Sequence, residues 1–462
     1  MVDTDYNGKT VLVAGAGRSG TAAARFLLGR GARVILSDSK KREVLEPAIS
    51  ILIEYASRSS GELTLELDGN RSESFAKADF VVVSPGMPLS LPLFEISRKA
   101  GIPVIAEVEL AYRHIKGKII GITGSNGKTT TTVLTAELLA GAGMKTYAAG
   151  NIGTPLVRFV DESEPDDIYV AELSSFQLES IETFHPFAAA LLNLTPDHMD
   201  RYNDFEDYIA AKERLFMNQT GGDFAVLNAD DPRSAAMAAS ANARTLFFSR
   251  TRELEIGAFI RKGCVIFRDG GSEKELFPVN TVQIRGAHNL ENILAASLLA
   301  LSAGAPPESL EESIRKFCGV EHRLEIVATI NGVAYFNDSK ATNVGAVIKA
   351  LEAFRGGIHL IAGGRDKGGD FNVLRPFVRE RVKQAILIGE AAGKIHQALS
   401  GVTRIYGAAS LSEAVELCRA AAVPGDVVLL SPGCASFDMF ENYEHRGRVF
   451  KEAVMWIVNN NL

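Results

Sequence analysis

Cysteine is scarce in this chain. Four cysteines, Cys264, Cys318, Cys418 and Cys434, are spread through 462 residues without a C-x-x-C pair. That argues against a disulfide framework and a thiolate zinc site, and it fits a reducing cytoplasm. No uninterrupted apolar stretch approaches the ~20 residues of a membrane span. The acidic, polar start MVDTDYNGK does not read as a signal peptide. Basic charge is not in excess either. Lys and Arg number 49 against 56 Asp and Glu, for a formal net charge of −7, which argues against nucleic acid as the main partner. Low-complexity tracts and internal repeats are absent. What is present, 46% hydrophobic and 23% charged residues, is the composition of a globular protein, and the length suggests two to four domains.

The most informative stretch is Lys118 to Thr132, KIIGITGSNGKTTTT. An apolar run enters a glycine turn that ends in Gly127-Lys128-Thr129, and helix formers follow. Strand, glycine loop and helix N-terminus form a phosphate cradle, in which backbone N–H groups and the helix dipole meet an anion. Lys128 would reach the β/γ-phosphates and the Thr129 hydroxyl would ligate Mg²⁺. The full G-x-x-x-x-G-K-[ST] spacing is missing, and a plain strand-to-helix turn is the alternative.

The same geometry appears earlier. Residues 9–14, KTVLVA, lead into Gly15-Ala16-Gly17-Arg18-Ser19-Gly20, then a helical pattern, then a strand ending at Asp38. This is a G-x-G-x-x-G fingerprint followed by an acid, and it reads as a nucleotide or nucleotide-sugar site or as a ligand-free βα turn. Further along, apolar runs without alternation suggest parallel strands covered on both faces. Polar residues follow directly after these runs: Glu172 to Gln177, Asn193 to His198, Asn337 to Asn343, Gly363 to Lys367 and Ser431 to Asp438. In open α/β sheets that edge is where ligands bind. Residues 255–277 alternate in short runs and predict a β excursion, and a final helix is predicted from about Gly447.

Single residues stay ambiguous by themselves. Glu172 stands where a Mg²⁺-ligating or water-orienting acid of a phosphate-loop enzyme belongs, or it caps a helix. His198 could be a metal ligand, a general base or a surface histidine. Lys212 on an alanine-rich helix could be a solvated cation, and Lys367 in a glycine-rich loop an anion ligand or a free surface lysine.

Taken together these residues resemble the Mur ligase family, the ATP-dependent amide-forming ligases of bacterial cell-wall precursor synthesis. Gly124-Ser125-Asn126-Gly127-Lys128-Thr129 matches the family's shortened phosphate loop. Glu172, His198, Lys212, Gly286 to Asn292, Glu321-His322-Arg323 and Asn337 to Asn343 match its other motifs. The resemblance runs end to end. It implies an α/β protein of three domains: an N-terminal Rossmann-like domain (1–114) for a UDP substrate, a central phosphate-loop ATPase domain with a mostly parallel sheet (115–318), and a C-terminal Rossmann-like domain (319–462) for the amino acid. Within the family the glycine turn at Gly15, the Ser84-Pro85-Gly86 turn, Asn337 to Asn343 and Ser431 to Asp438 are similar to the D-glutamate-adding branch. That implies UDP-N-acetylmuramoyl-L-alanine and D-glutamate as substrates, an acyl-phosphate intermediate and a cytoplasmic monomer.

The resemblance also implies the site. ATP is expected at Gly124 to Thr130 with Asn292, Arg323 and Asp338. A pair of Mg²⁺ ions is expected, one on Thr129 and Glu172, the other on His198, Glu172 and carbamylated Lys212. Gly17, Arg18, Ser19, Asp38, Ser39, Gly86, Asn151, Ser174 and His198 are expected at the UDP substrate. Thr342, Lys367, Ser436, Phe437 and Tyr443 are expected at D-glutamate. Competing readings are a folylpolyglutamate synthase-like ligase, which does not need a UDP-type first domain, an NAD-dependent oxidoreductase, which leaves Lys128, Lys212 and Lys367 without roles, and a non-catalytic nucleotide-binding module.

Overall fold

Three open sheets organise the chain, as the computed structural model shows for residues 5–460 other than Ile152, Asp200, Arg285 and Lys367. The first sheet is built from β1 (Thr10–Ala14), β2 (Arg33–Ser37), β3 (Glu62–Glu66), β4 (Phe80–Val83) and β5 (Val104–Ala106), all parallel, in the order β3-β2-β1-β4-β5. The order reverses beside β1, so the glycine turn after β1 opens at the switch point, where a doubly wound sheet leaves a crevice. Gly15 takes φ +97°, and a Cβ on Gly20 would lie 1.8 Å from the Gly15 carbonyl oxygen. Only glycine allows the Arg18–Leu28 helix to sit this close to the turn.

The second sheet contains β6 (Lys118–Thr123), β7 (Thr146–Gly150), β8 (Ile168–Glu172), β9 (Ala188–Leu191), β10 (Phe224–Asn228), β11 (Arg244–Ser249), β12 (Gly257–Arg261), β13 (Cys264–Asp269) and β14 (Ser272–Pro278). Its order is β14-β13-β12-β11-β10-β9-β6-β8-β7. Strands β6 to β12 pair in parallel, and β13 and β14 add an antiparallel edge. That edge is the predicted β excursion. The central strands β6, β8 and β9 are almost wholly buried, which explains why they are apolar throughout rather than alternating. One continuous core joins a face of the first sheet to the second, from Val11 and Leu27 to Leu173 and Leu227.

The third sheet, β15 (Glu325–Ile330), β16 (Val333–Asn337), β17 (Ile358–Gly363), β18 (Val382–Ile388), β19 (Arg404–Gly407) and β20 (Val427–Leu430), runs β15-β16-β20-β17-β18-β19. It is parallel except for the β15–β16 hairpin, and it has a core on each face. The last helix spans Tyr443–Asn460. It starts four residues before the predicted Gly447 because the Asn442 side chain accepts from the His445 N–H at 2.7 Å. The chain falls into two compact units, Met1–Thr281 with Leu290–Ile314, and Val282–Asn289 with Arg315–Leu462. Among the described residues no helix is long and apolar enough to cross a membrane.

Candidate active site

In the first unit, β6 delivers the chain into Gly124 (φ +148°) and Gly127 (φ +85°), and the Lys128–Gly141 helix starts at once. The loop is braced from β9. Ser125 N–H donates to Asn193 O at 2.9 Å, Asn126 N–H to Asn193 Oδ1 at 2.8 Å, and Ser125 Oγ to Thr195 O at 2.8 Å. Tyr208 OH lies 3.0 Å from Ser125 Oγ. Asn292 packs beneath the turn, so close that a Cβ on Gly127 would lie 2.2 Å from its Oδ1. Lys128 folds back over the loop, with Nζ donating to Gly124 O (2.8 Å) and Ser125 O (2.9 Å).

Glu172 ends β8 and is buried at 3% exposure. One carboxylate oxygen accepts from Thr129 Oγ1 at 2.7 Å and the other from Asn151 Nδ2 at 2.8 Å. Thr129 and Glu172 thus form a buried pair of hard oxygen donors at the start of the helix, a set that suits Mg²⁺. Thr130 is half-buried beside them. Lys212 projects from the Phe205–Glu213 helix and is 1% exposed. Its Nζ donates to Gly124 O at 3.0 Å and lies 4.6 Å from the centre of the Tyr208 ring. Burial, then the nearby Lys128 charge, drives its pKa well below the ordinary lysine value. A bare ammonium or amine does not suit Mg²⁺. A neutral amine, however, is the form that adds CO₂, and a carbamate offers hard oxygens.

His198 is another sequence-predicted metal ligand. It is about half exposed, takes φ +57°, and contacts Asp197 and the Phe176 ring. It makes no hydrogen bond to Glu172 or Lys212. Ser174 caps the short Ser175–Leu178 helix, its hydroxyl and backbone both paired with Gln177.

A cavity of about 350 Å³ opens beside the first glycine turn. Gly17, Arg18, Ser19, Asp38, Ser39 and Gly86 line it from the first sheet, and Asn151 from the second. Asp38 also holds the turn itself. Its Oδ2 accepts from Ala16 N–H at 2.7 Å and its Oδ1 from Lys40 N–H at 2.9 Å. Arg201, which sequence reasoning missed, crosses between the two sheets and donates to Pro85 O (3.0 Å) and Met87 O (2.9 Å).

The second unit holds its own group. Asp338 follows β16, is 8% exposed, and accepts from Ser431 Oγ at 2.9 Å. Burial raises its pKa to about 7, against the pull of the Arg323 charge. Thr342 is half-buried in the same loop, Ser436 is 2% exposed, and Phe437 is 62% exposed. Tyr443 opens the last helix, where its carbonyl accepts from Ser339 Oγ at 2.8 Å and its ring lies under the Lys340 ammonium. Lys367 lies outside the described residues.

Arg446 is the organiser that the sequence did not announce. It is fully buried and donates to Ser339 Oγ (3.0 Å), Ser339 O (2.7 Å), Cys434 O (3.1 Å) and Ala435 O (3.3 Å). It therefore clamps the Asn337–Asn343 loop to the Ser431–Asp438 loop. Among the described residues the one tight cluster of three His or acid donors is Glu321, His322 and Glu325, and Lys451 Nζ already bridges its two carboxylates at 3.0 and 2.6 Å.

Three family models match successive stretches: a Mur ligase MurD-like N-terminal domain at 9–106, a Mur ligase middle domain at 122–300, and a Mur ligase glutamate ligase domain at 322–434. The chain belongs to the Mur ligase family. Two curated relatives are each 49% identical to it. The UDP-N-acetylmuramoylalanine–D-glutamate ligase of Koribacter versatilis aligns over 97% of this chain and 98% of its own, and that of Acidobacterium capsulatum over 98% and 97%. Solved Mur ligases share the fold. The UDP-N-acetylmuramate-alanine ligase MurC of Thermotoga maritima superposes with a TM-score of 0.59 at 17% identity, covering 97% of this chain and 99% of its own. MurF of Acinetobacter baumannii gives 0.60 at 14%, covering 96% and 93%. This Mur ligase thus has the family's three-domain α/β architecture, with a mostly parallel central sheet.

Proposed function

We propose that this Mur ligase joins D-glutamate to UDP-N-acetylmuramoyl-L-alanine in an ATP-driven reaction of peptidoglycan precursor synthesis, acting as a cytoplasmic monomer. The observation that carries this reading is its near-full-length identity to ligases bearing that name. Residues 1–114 serve the UDP substrate, 115–318 the ATP, and 319–462 the amino acid.

ATP binds at Gly124 to Thr130 with Asn292, Arg323 and Asp338. The buried N-terminus of the Lys128–Gly141 helix and the Lys128 ammonium supply positive potential to the triphosphate. The alanyl carboxylate of the UDP substrate attacks the γ-phosphorus, and the bond from that phosphorus to the β,γ-bridging oxygen breaks, releasing ADP. The neutral amine of D-glutamate then attacks the acyl carbon. The tetrahedral intermediate collapses, phosphate leaves, and the amine's proton passes to solvent.

Thr129 and Glu172 would hold one Mg²⁺, and Glu172, His198 and carbamylated Lys212 would hold the other. Bound there, such ions would supply countercharge to the phosphate oxygens. Gly17, Arg18, Ser19, Asp38, Ser39, Gly86, Asn151 and Ser174 hold and orient the UDP substrate. Thr342, Lys367, Ser436, Phe437 and Tyr443 receive D-glutamate, with Lys367 paired to a carboxylate. The buried state of Lys212 supports carbamylation, because its amine stays neutral at a pH where an exposed lysine is charged.

The test is phosphate release from ATP with UDP-N-acetylmuramoyl-L-alanine and, in turn, D-glutamate, L-glutamate, L-lysine or meso-diaminopimelate. Release with D-glutamate alone is the expected result. Release with another amino acid moves the chain to a different step of the family, and silence with all four refutes the reading.

A further inference from the structure

Beside the cleft at the glycine turn lies a second cavity, of about 410 Å³. It sits between the Arg18–Leu28 helix, the Ala48–Ala56 helix and residues 153–158, all within the first unit. Three arginines line it, Arg18, Arg25 and Arg158, and no acidic residue does among the described residues. None of the three has a hydrogen-bond or ion-pair partner for its side chain among the described residues. Arg25 only lies over the Tyr55 ring, 4.1 Å from its centre.

The arginines just outside the cavity are treated differently. Arg30, two residues beyond the helix that carries Arg18 and Arg25, pairs with Asp161 at 2.8 Å, and Arg58 pairs with Glu54 at 2.8 Å. The neighbours are neutralised and the lining is not. Three like charges around one space repel each other, and an anion placed among them removes that repulsion. Much of the remaining lining is apolar, with Ala22, Ala48, Leu52, Pro155 and Ile51, the last 56% exposed, while Thr21, Tyr55 and Thr154 bring hydroxyls.

We infer that this cavity binds a second small molecule, an organic phosphate with an apolar or planar body, distinct from the occupant of the neighbouring cleft. Guanidinium forks match phosphate oxygens in geometry as well as charge, and three of them match a group carrying up to two negative charges with several acceptor oxygens. The volume is that of a small-ligand site. Arg18, Gly153 and Pro155 line both cavities. Filling one therefore changes a wall of the other, and the two ligands are coupled reciprocally.

The test is calorimetric titration of the full chain with 1-naphthyl phosphate, without and with saturating UDP, and with 1-naphthol and inorganic phosphate as partial probes. Arg25→Glu and Arg158→Glu are the variants, because both line this cavity and neither lines the other. UDP titration of each variant confirms that it is folded. The expected result is saturable binding of 1-naphthyl phosphate that weakens about tenfold or more with each substitution while UDP affinity holds, since a charged hydrogen-bond partner is lost and replaced by a like charge. Each partial probe binds more weakly than the whole. A change in naphthyl phosphate affinity on adding UDP supports the coupling. Absence of saturable binding, or binding that UDP displaces and that neither substitution weakens, overturns the inference.

Discussion

Adding one methyl group at Gly127 perturbs the phosphate loop in two separable ways. The first is conformational. Gly127 sits at φ +85°, ψ −14°, and holding an alanine in that left-handed region costs about 1–2 kcal/mol. The second is steric. An alanine Cβ would lie 2.2 Å from Asn292 Oδ1 and 3.1 Å from its Cγ. Asn292 is 3% exposed on the Ala287–Ser302 helix, so its amide has to leave its rotamer, at roughly 0.5–1.5 kcal/mol. The two costs together come to about 1.5–3.5 kcal/mol, or roughly 10- to 400-fold in an equilibrium constant.

The loss is read as the sum of two measurements, a urea midpoint for stability and an ATP titration for affinity, because the loop either keeps its shape under strain or relaxes until ATP draws it back. A double-mutant cycle separates the causes. In an Asn292→Ala background the overlap is gone, so Gly127→Ala should cost only the conformational share. An unchanged penalty in that background refutes the steric argument. No penalty in the parent refutes the left-handed geometry as well.

Three other substitutions probe distinct parts of the molecule. Lys212→Ala should lower turnover at least about 100-fold, as loss of an electrostatic stabiliser does, with a urea midpoint near the parent's. Near-parent turnover, or no carbamate signal from ¹³C-bicarbonate in the parent's NMR spectrum, contradicts the carbamylated lysine. Arg446→Met keeps the stem but leaves the buried carbonyls of Ser339 and Cys434 without their donor, Ala435 O keeping the Arg365 N–H, and should destabilise the second unit by about 2–5 kcal/mol in urea melts. A change within 1 kcal/mol would mean that the two loops do not depend on the clamp. Glu107 is 1% exposed, accepts from Val157 N–H at 2.7 Å, and holds its proton up to about pH 7 because it is buried. The unfolded chain releases that proton near the ordinary value of 4.5, so the folded state binds more protons in between. Stability therefore falls as pH rises through that window, by up to about 3 kcal/mol. Glu107→Gln should flatten that slope in urea melts at pH 5 and pH 8, and an unchanged slope refutes the assignment.

What could be read from the sequence was what consecutive residues decide. Lys128 and Thr129 were readable because strand, glycine loop and helix start adjoin in the chain. The sheets were readable because buried parallel strands leave unbroken apolar runs such as β6 and β8. The C-terminal helix start was misplaced by four residues, since the Asn442 cap resembles any loop asparagine. Lys212 marks the boundary of the method. On an alanine-rich helix it reads equally as a solvated cation, and only a contact across 88 residues, to the Gly124 carbonyl, places it in the core. Arg446 lies beyond that boundary. No periodicity or spacing distinguishes an arginine that gathers carbonyls from two loops from one that faces water. Asp38 shows a third kind of limit: its spacing after the glycine turn marks it as a ligand for a nucleotide, yet both of its oxygens already accept from backbone N–H groups of the surrounding loops. A carboxylate there shapes the cleft whatever the cleft binds, so the fingerprint alone could not tell a UDP site from a dinucleotide site. The UDP reading rests on the resemblance to the Mur ligases, and what the structure adds is that Asn151 of the second sheet lines the same cavity and donates to Glu172.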